Sequence, residues 1–410
     1  MKKVLWYIIG AVFLFSAFAF AADKPATDSA KANAVNYPSL PMASSSVSSS
    51  SVSSSTANSI SLEKIGEYDV TPTSAGVKIK GHRPDVVAIG SQLYLAYASQ
   101  DTPSKQSEVN LIVLDKDVKQ VSFSEGLFRG AAASMPTDIR TYSDGGSVFW
   151  YALETTSQGM HSCICNNKLN MAAYQADGNL VFSKTNIAMG CPIYFLMINN
   201  CGTKAVTASW ATDDPTPMYY NHNYCVAIRK NSSPQLQIFC LNSKGNQVAD
   251  NKIDFSDIFG KDANLSQNAF VVIDGQPWII TGAEHGPPVG DGYVSVYAVQ
   301  LSSNLSSVVG QPIEIVSSPN KEYKTRVVAA RMYKNYLFIT YVNRGKDGAD
   351  SKGYLAVFDT TKKFAHVTQQ VALDHSIADD HLPMAIIGDQ AYVFHETEDK
   401  SLIGEIFAIK

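Results

Sequence analysis

Arg83-Pro-Asp-Val-Val-Ala-Ile-Gly-Ser-Gln-Leu-Tyr-Leu-Ala-Tyr97 reads as a short apolar strand, a turn at Gly90-Ser91, and a second strand rich in aromatic residues. The same unit recurs as Met135-Pro-Thr-Asp-Ile-Arg140 with Val148-Phe-Trp-Tyr-Ala-Leu153, and as Cys191-Pro-Ile-Tyr-Phe-Leu196 with Ala205-Val-Thr-Ala-Ser-Trp210. Three more copies begin at Asn268, Arg326 and His381. The repeat is about 55 residues long, with one interval about 20 residues longer after the third copy. Each copy is followed by further β-type runs, such as Tyr354-Leu-Ala-Val-Phe-Asp359 and His366-Val-Thr-Gln-Gln-Val-Ala-Leu373, and no long stretch has helical periodicity. The chain is therefore expected to be all-β.

A period of this length suits four antiparallel strands with generous loops. The last copy runs out at Gly404-Glu-Ile-Phe-Ala-Ile-Lys410, one strand short, while Leu62-Glu-Lys-Ile-Gly-Glu-Tyr-Asp-Val70 is an orphan strand before the first copy. If the orphan completes the last sheet, no edge is left over. Over residues 62–410 the pattern resembles six-bladed β-propellers as an architecture. The resemblance implies four-stranded blades, with the last blade closed by the N-terminal strand. No specific family signature accompanies it. The Ser143-Asp-Gly-Gly-Ser-Val-Phe-Trp150 stretch departs from the sialidase Asp-box in spacing and position.

Ahead of this domain, Lys2-Lys3, an uncharged run from Val4 to Ala22 and the small residues of Ala19-Phe-Ala21 form a secretory leader, residues 1–21, cut after Ala21. An uncleaved leader would be the one route to a membrane. Residues 22–61 are small and polar, with a Ser/Val tract at Ser44 to Ser55, and read as a disordered tether. The destination implied is the periplasm or the exterior of a bacterial cell. A net charge of −4 and no basic run beyond Lys2-Lys3 give no footprint for nucleic acid.

The cysteines are Cys163, Cys165, Cys191, Cys201, Cys225 and Cys240. An even number in an exported chain reads as disulfides. The propeller layout predicts Cys201 with Cys240, and Cys163 and Cys165 shared between Cys191 and Cys225. Oxidising surroundings argue against thiolate ligands, so no metal and no cofactor is expected.

In a propeller, first-strand starts and second-strand ends gather at one mouth of the central channel, the default ligand site. Alignment of the copies places Arg83, Asp85, Asp138, Arg326 and His381 at the starts, with His82 adjacent, and Glu154, Glu284 and His285 at the second-strand ends. Asp213-Asp214 is read as a loop on the same face. The arginines are expected either to be neutralised by Asp85 and Asp138 or to bind an anionic ligand. Nucleophile-elbow, zinc-protease and phosphate-loop motifs are all missing, which points away from an enzyme. The leading reading is an exported, non-catalytic propeller that binds a protein or a glycan at the mouth. Two alternatives are a polysaccharide-acting glycoside hydrolase or lyase drawing its acid and base from Asp85, Asp138, Glu154 and Glu284, and a structural component of a surface or secretion assembly.

Overall fold

The computed structural model describes residues 60–410 except 75, 100–107, 130–134, 144, 146–147, 157–166, 177–178, 191–209, 231–232, 262, 286–294, 318–322, 346–350, 367–369 and 377–380. The leader and nearly all of the tether lie outside the described residues, as do Cys163, Cys165, Cys191 and Cys201.

Strand β1 (Leu62–Asp69) leads into a small ribbon, β2 (Thr73–Ser74) and β3 (Val77–Lys78). Next come β4 (His82–Ile89), β5 (Gln92–Ser99), β6 (Glu108–Leu114) and β7 (Gln120–Arg129), an antiparallel meander in which each strand pairs with the next. The second sheet is β8 (Met135–Ser143), β9 (Val148–Thr156), β10 (Asn167–Gln175) and β11 (Leu180–Gly190). The third is β12 (Trp210–Tyr220), β13 (Asn223–Lys230), β14 (Gln235–Leu241) and β15 (Gln247–Asp254). After a one-turn helix at Ser256–Phe259 comes the fourth, β16 (Ala263–Ile273), β17 (Gln276–His285), β18 (Val296–Leu301) and β19 (Val308–Val316).

The next sheet differs. It holds β20 (Tyr323–Tyr333), β21 (Tyr336–Gly345) and β22 (Lys352–Asp359), and two short strands, β23 (Ala365–His366) and β24 (Val371–Ser376), both pair with β22. The expectation of six four-stranded blades is thus corrected. Five sheets are four-stranded blades, and the sheet built on 323–376 has five strands. The run beginning at His366, read as one strand, is described as β23, which ends at His366, and β24, which starts at Val371, with residues 367–369 outside the described residues.

The last four-stranded sheet is β25 (Met384–Ile387), β26 (Gln390–Glu396), β27 (Leu402–Ile409) and, on its outer side, β1. β1 runs antiparallel to β27 from Leu62 opposite Ile409 to Asp69 opposite Ile403. Lys64 reaches the buried Glu405 carboxylate at 2.8 Å, so the two chain ends are joined by ladder bonds and an ion pair. The edge that β27 would present to other chains is covered.

The first strands β4, β8, β12, β16, β20 and β25 neighbour one another in turn, and β25 comes back beside β4. The protein is an all-β propeller. Its core is divided into seams, each filled by residues of two successive sheets. Cys225 and Ala227 of β13 pack with Phe270 and Ile279 of the fourth sheet, while Tyr224, Val226 and Ile228 on the other face pack with Leu169 and Phe182 of the second. Side chains alternate faces along a strand, and here both faces are seams, so Tyr224 to Arg229 is buried throughout. Each buried Ile, Leu, Val or Phe contributes about 1.5–3 kcal/mol. The burial on both faces explains the continuous apolar runs of the repeats.

Candidate site at the mouth of the central channel

Five of the first strands carry a register shift in the ladder with their second strand. The shifts lie between His82 and Asp85, Pro136 and Asp138, Ala211 and Thr216, Leu265 and Asn268, and Val327 and Ala329. A bulge inserts unpaired residues and re-aims their side chains. Two of the shifts contain non-glycine residues in the left-handed region, Arg83 at φ 52° and Asp214 at φ 49°. Polar residues in the bulged portions are thereby aimed at the axis and across to the next sheet instead of into a seam.

Asp214 is the centre of the arrangement. Its Oδ1 accepts from Arg140 Nη2 of β8 at 2.5 Å, and its Oδ2 accepts from Arg229 Nη2 of β13 at 3.2 Å. His381, immediately before β25, brings Nε2 within 3.4 Å of Asp214 Oδ1 and 2.6 Å of Arg140 Nη2. A guanidinium has no acceptor, so the contact with Arg140 needs an Nε2 without a proton, whereas a protonated Nε2 donates to Asp214 Oδ1 instead. Arg229 also donates to the Leu265 carbonyl at 3.3 Å. All four side chains are nearly withdrawn from solvent, with Arg140 the most exposed at 12%. Burial opposes ionisation of Asp214, but the bond to His381 and the charges of Arg140 and Arg229 outweigh it and hold the carboxyl well below its usual range. Asp214 is therefore a fixed anion between two fixed cations.

Asp85 has a different task from the one expected. Its Oδ1 accepts from the Val86 amide at 3.0 Å and its Oδ2 from the Thr141 amide of the next sheet at 2.6 Å. It neutralises no arginine, because the bulge directs its carboxylate at the adjoining backbone. Arg83 donates its backbone N–H to Glu396 Oε2 at 2.8 Å, and Glu396, fully buried on β26, also takes Lys400 at 2.6 Å. Arg326 is half-buried on β20, opposite Val342. Asp138 stands opposite Glu154 in the β8–β9 ladder, Glu284 opposite Asn264 and His285 opposite Ala263; the side chains of Asp138, Glu154, Glu284 and His285, and that of His82, lie outside the described residues.

Of the candidates read from the sequence whose side chains are described, the structure brings His381 into the Asp214 cluster. Asp214 lies within β12 and not in a loop. Arg140 and Arg229 were not expected in the site. Arg229 had a visible signal, a charge directly ending the apolar run Tyr224 to Ile228. Arg140 had a weaker one, as the last residue of Met135-Pro-Thr-Asp-Ile-Arg.

The disulfide expectation is corrected as well. Cys240 is bonded to Cys225, not Cys201. The two are direct partners across the β13–β14 hairpin, so the bridge closes a local pairing and joins no distant loop. A disulfide fits an oxidising compartment. Among the described residues no helix is long and apolar enough to cross a membrane, and no cluster of His, Cys, Asp and Glu could hold a metal. Trp278 packs edge-on to Phe364 at 5.2 Å, in the seam between two sheets.

No family model and no curated protein matches the chain. Among solved structures it is similar to the parainfluenza virus 5 hemagglutinin-neuraminidase ectodomain, at 9% identity and TM-score 0.48, covering 86% of this chain and 85% of that one. It is also similar to an exo-beta-1,3-galactanase from Clostridium thermocellum, at 10% identity and TM-score 0.47, covering 83% and 82%. A Trypanosoma rangeli sialidase mutant aligns at 12% identity and TM-score 0.46, with 80% of this chain covered and about half (54%) of that one.

Proposed function

We propose that the protein is an exported glycan-recognising propeller whose ligand sits at the channel mouth, over the Asp214 cluster. The observation that carries this reading is the meeting of Arg140, Asp214, Arg229 and His381, from two neighbouring sheets and the segment before β25, at the end where the first strands begin. Guanidinium and carboxylate groups held in fixed orientation match pairs of adjacent hydroxyls or a sugar carboxylate, and pre-ordering them lowers the entropy cost of binding. The described carboxylates at the mouth are engaged as acceptors: Asp85 by amides, Glu396 by an amide and Lys400, and Asp214 by two arginines.

The second reading is hydrolysis of the bound glycan. It is favoured by one feature of the backbone, the direct opposition of Asp138 and Glu154 across β8 and β9. Glycosidases use a pair of carboxyl groups about 5–10 Å apart. A glycan array, run with a panel of chromogenic glycosides, separates the readings. Saturable binding lost in His381→Gln with unchanged melting supports glycan recognition, and an identical array profile for wild type and His381→Gln refutes the mouth as the site. Turnover abolished by Glu154→Gln establishes the enzyme.

A further inference from the structure

Next to the Asp214 cluster, the first strands line a cavity of about 30 Å³. It is lined by Asp85, Arg140, Thr141, Thr216, Asn268 and Arg331, with apolar and proline residues between them. Arg331 is the ninth of eleven residues of β20, so it stands toward the end of the channel away from the mouth. It donates to two backbone carbonyls, Ala330 at 2.9 Å and Val86 at 3.3 Å, and lies 5.5 Å from the Tyr142 ring centroid. Among the described residues it has no carboxylate partner. A guanidinium cannot give up its proton, so a half-buried one calls for an anion nearby.

Two more groups point the same way. Thr141 Oγ1 and Asn268 Nδ2 are buried in side chains 1% and 7% exposed, line the cavity, and make no hydrogen bond. Asn268 has its amide orientation set, since Oδ1 accepts from the Thr281 hydroxyl at 2.5 Å, which leaves two N–H donors on Nδ2. An orphaned buried donor costs about 1–3 kcal/mol. The one carboxylate in the lining, Asp85, already accepts two backbone amides. The inventory is therefore a guanidinium with no carboxylate bonded to it, a hydroxyl and an amide N–H₂, beside the Asp85 carboxylate, whose oxygens are taken by backbone amides.

We infer that the axial cavity is a binding site for a small inorganic anion, for which a halide serves as probe, held by Arg331, the Thr141 hydroxyl and the Asn268 amide. A cation is opposed by Arg140 and Arg331. The bound anion supplies the charge that Arg331 lacks and satisfies both orphaned donors. It also ties the second, fourth and fifth sheets together at the axis.

The test uses the whole protein in sodium gluconate, with chloride added at constant ionic strength. Chloride should raise Tm with the logarithm of its concentration above Kd, by about 2–3 °C at tenfold excess over Kd, and its NMR line should broaden in proportion to protein. Thr141→Val, which keeps the shape and removes the hydroxyl, should cut chloride affinity at least tenfold, and Arg331→Met should abolish the Tm shift. Crystals soaked in bromide should show an anomalous peak between Arg331 and Asn268. A Tm and a chloride line indifferent to chloride in the wild type, or water alone at that position in bromide-soaked crystals, would overturn the inference. If Arg331→Met does not fold, Thr141→Val and the bromide peak decide it.

Discussion

Oδ2 of Asp85 accepts the backbone N–H of Thr141 at 2.6 Å, so a carboxylate of one blade completes the hydrogen bonding of the next. The bond crosses the seam near the axis, where both strands are buried. Asp85→Ala leaves the Val86 and Thr141 amides without their acceptor. The expected cost is about 1.5–3 kcal/mol, as for hydrogen bonds to a charged group, read as a lower midpoint in urea at unchanged slope. Asp85→Asn should recover part of it, since the side-chain oxygen still accepts one amide.

The Asp214 cluster should show in the acid limb of stability. Its folded pKa lies below the ordinary value of 3.8, so its contribution is fully present above that value and is lost as pH falls through the folded pKa. Wild type should therefore lose stability steadily below about pH 4, and Asp214→Asn should flatten that part of the profile. At neutral pH the same variant leaves Arg140 and Arg229 facing a neutral amide, at a cost of about 3–5 kcal/mol. A melting profile from acid to neutral pH that coincides for both proteins would contradict the assignment.

Removal of β1 tests the ring closure. A chain starting at residue 75 lacks the ladder to β27 and the Lys64 partner of the buried Glu405. It should melt lower than a chain starting at residue 60 and should aggregate through the exposed β27 edge. Equal melting temperatures and equal monomer fractions would show that the closure contributes nothing.

The Cys225–Cys240 bridge closes a loop with a sequence separation of 15. Loop-closure entropy for that length is about 3 kcal/mol. The double variant Cys225→Ala with Cys240→Ala should lose stability of that order and keep the fold, because the β13–β14 ladder holds the same two positions together.

Much of the architecture was legible in the residues. The period, the runs apolar on both faces and the orphan strand at Leu62 to Val70 are local patterns, and strand formation between two seams depends on little else. Closure by β1 followed from counting strands. What local pattern did not contain was the choice among distant partners. Arg140 meets Asp214 across 74 residues and His381 across 241. Those meetings depend on bulges and on left-handed residues such as Asp214, which turn a side chain by an amount no spacing rule records. The pairing of Cys225 with its hairpin neighbour was likewise decided by register. The amino-acid sequence by itself thus determined that this chain is a β repeat closed on its own first strand. Only the tertiary structure decided which charges meet at its axis, because a buried ion takes whichever counter-charge the packed sheets bring within reach.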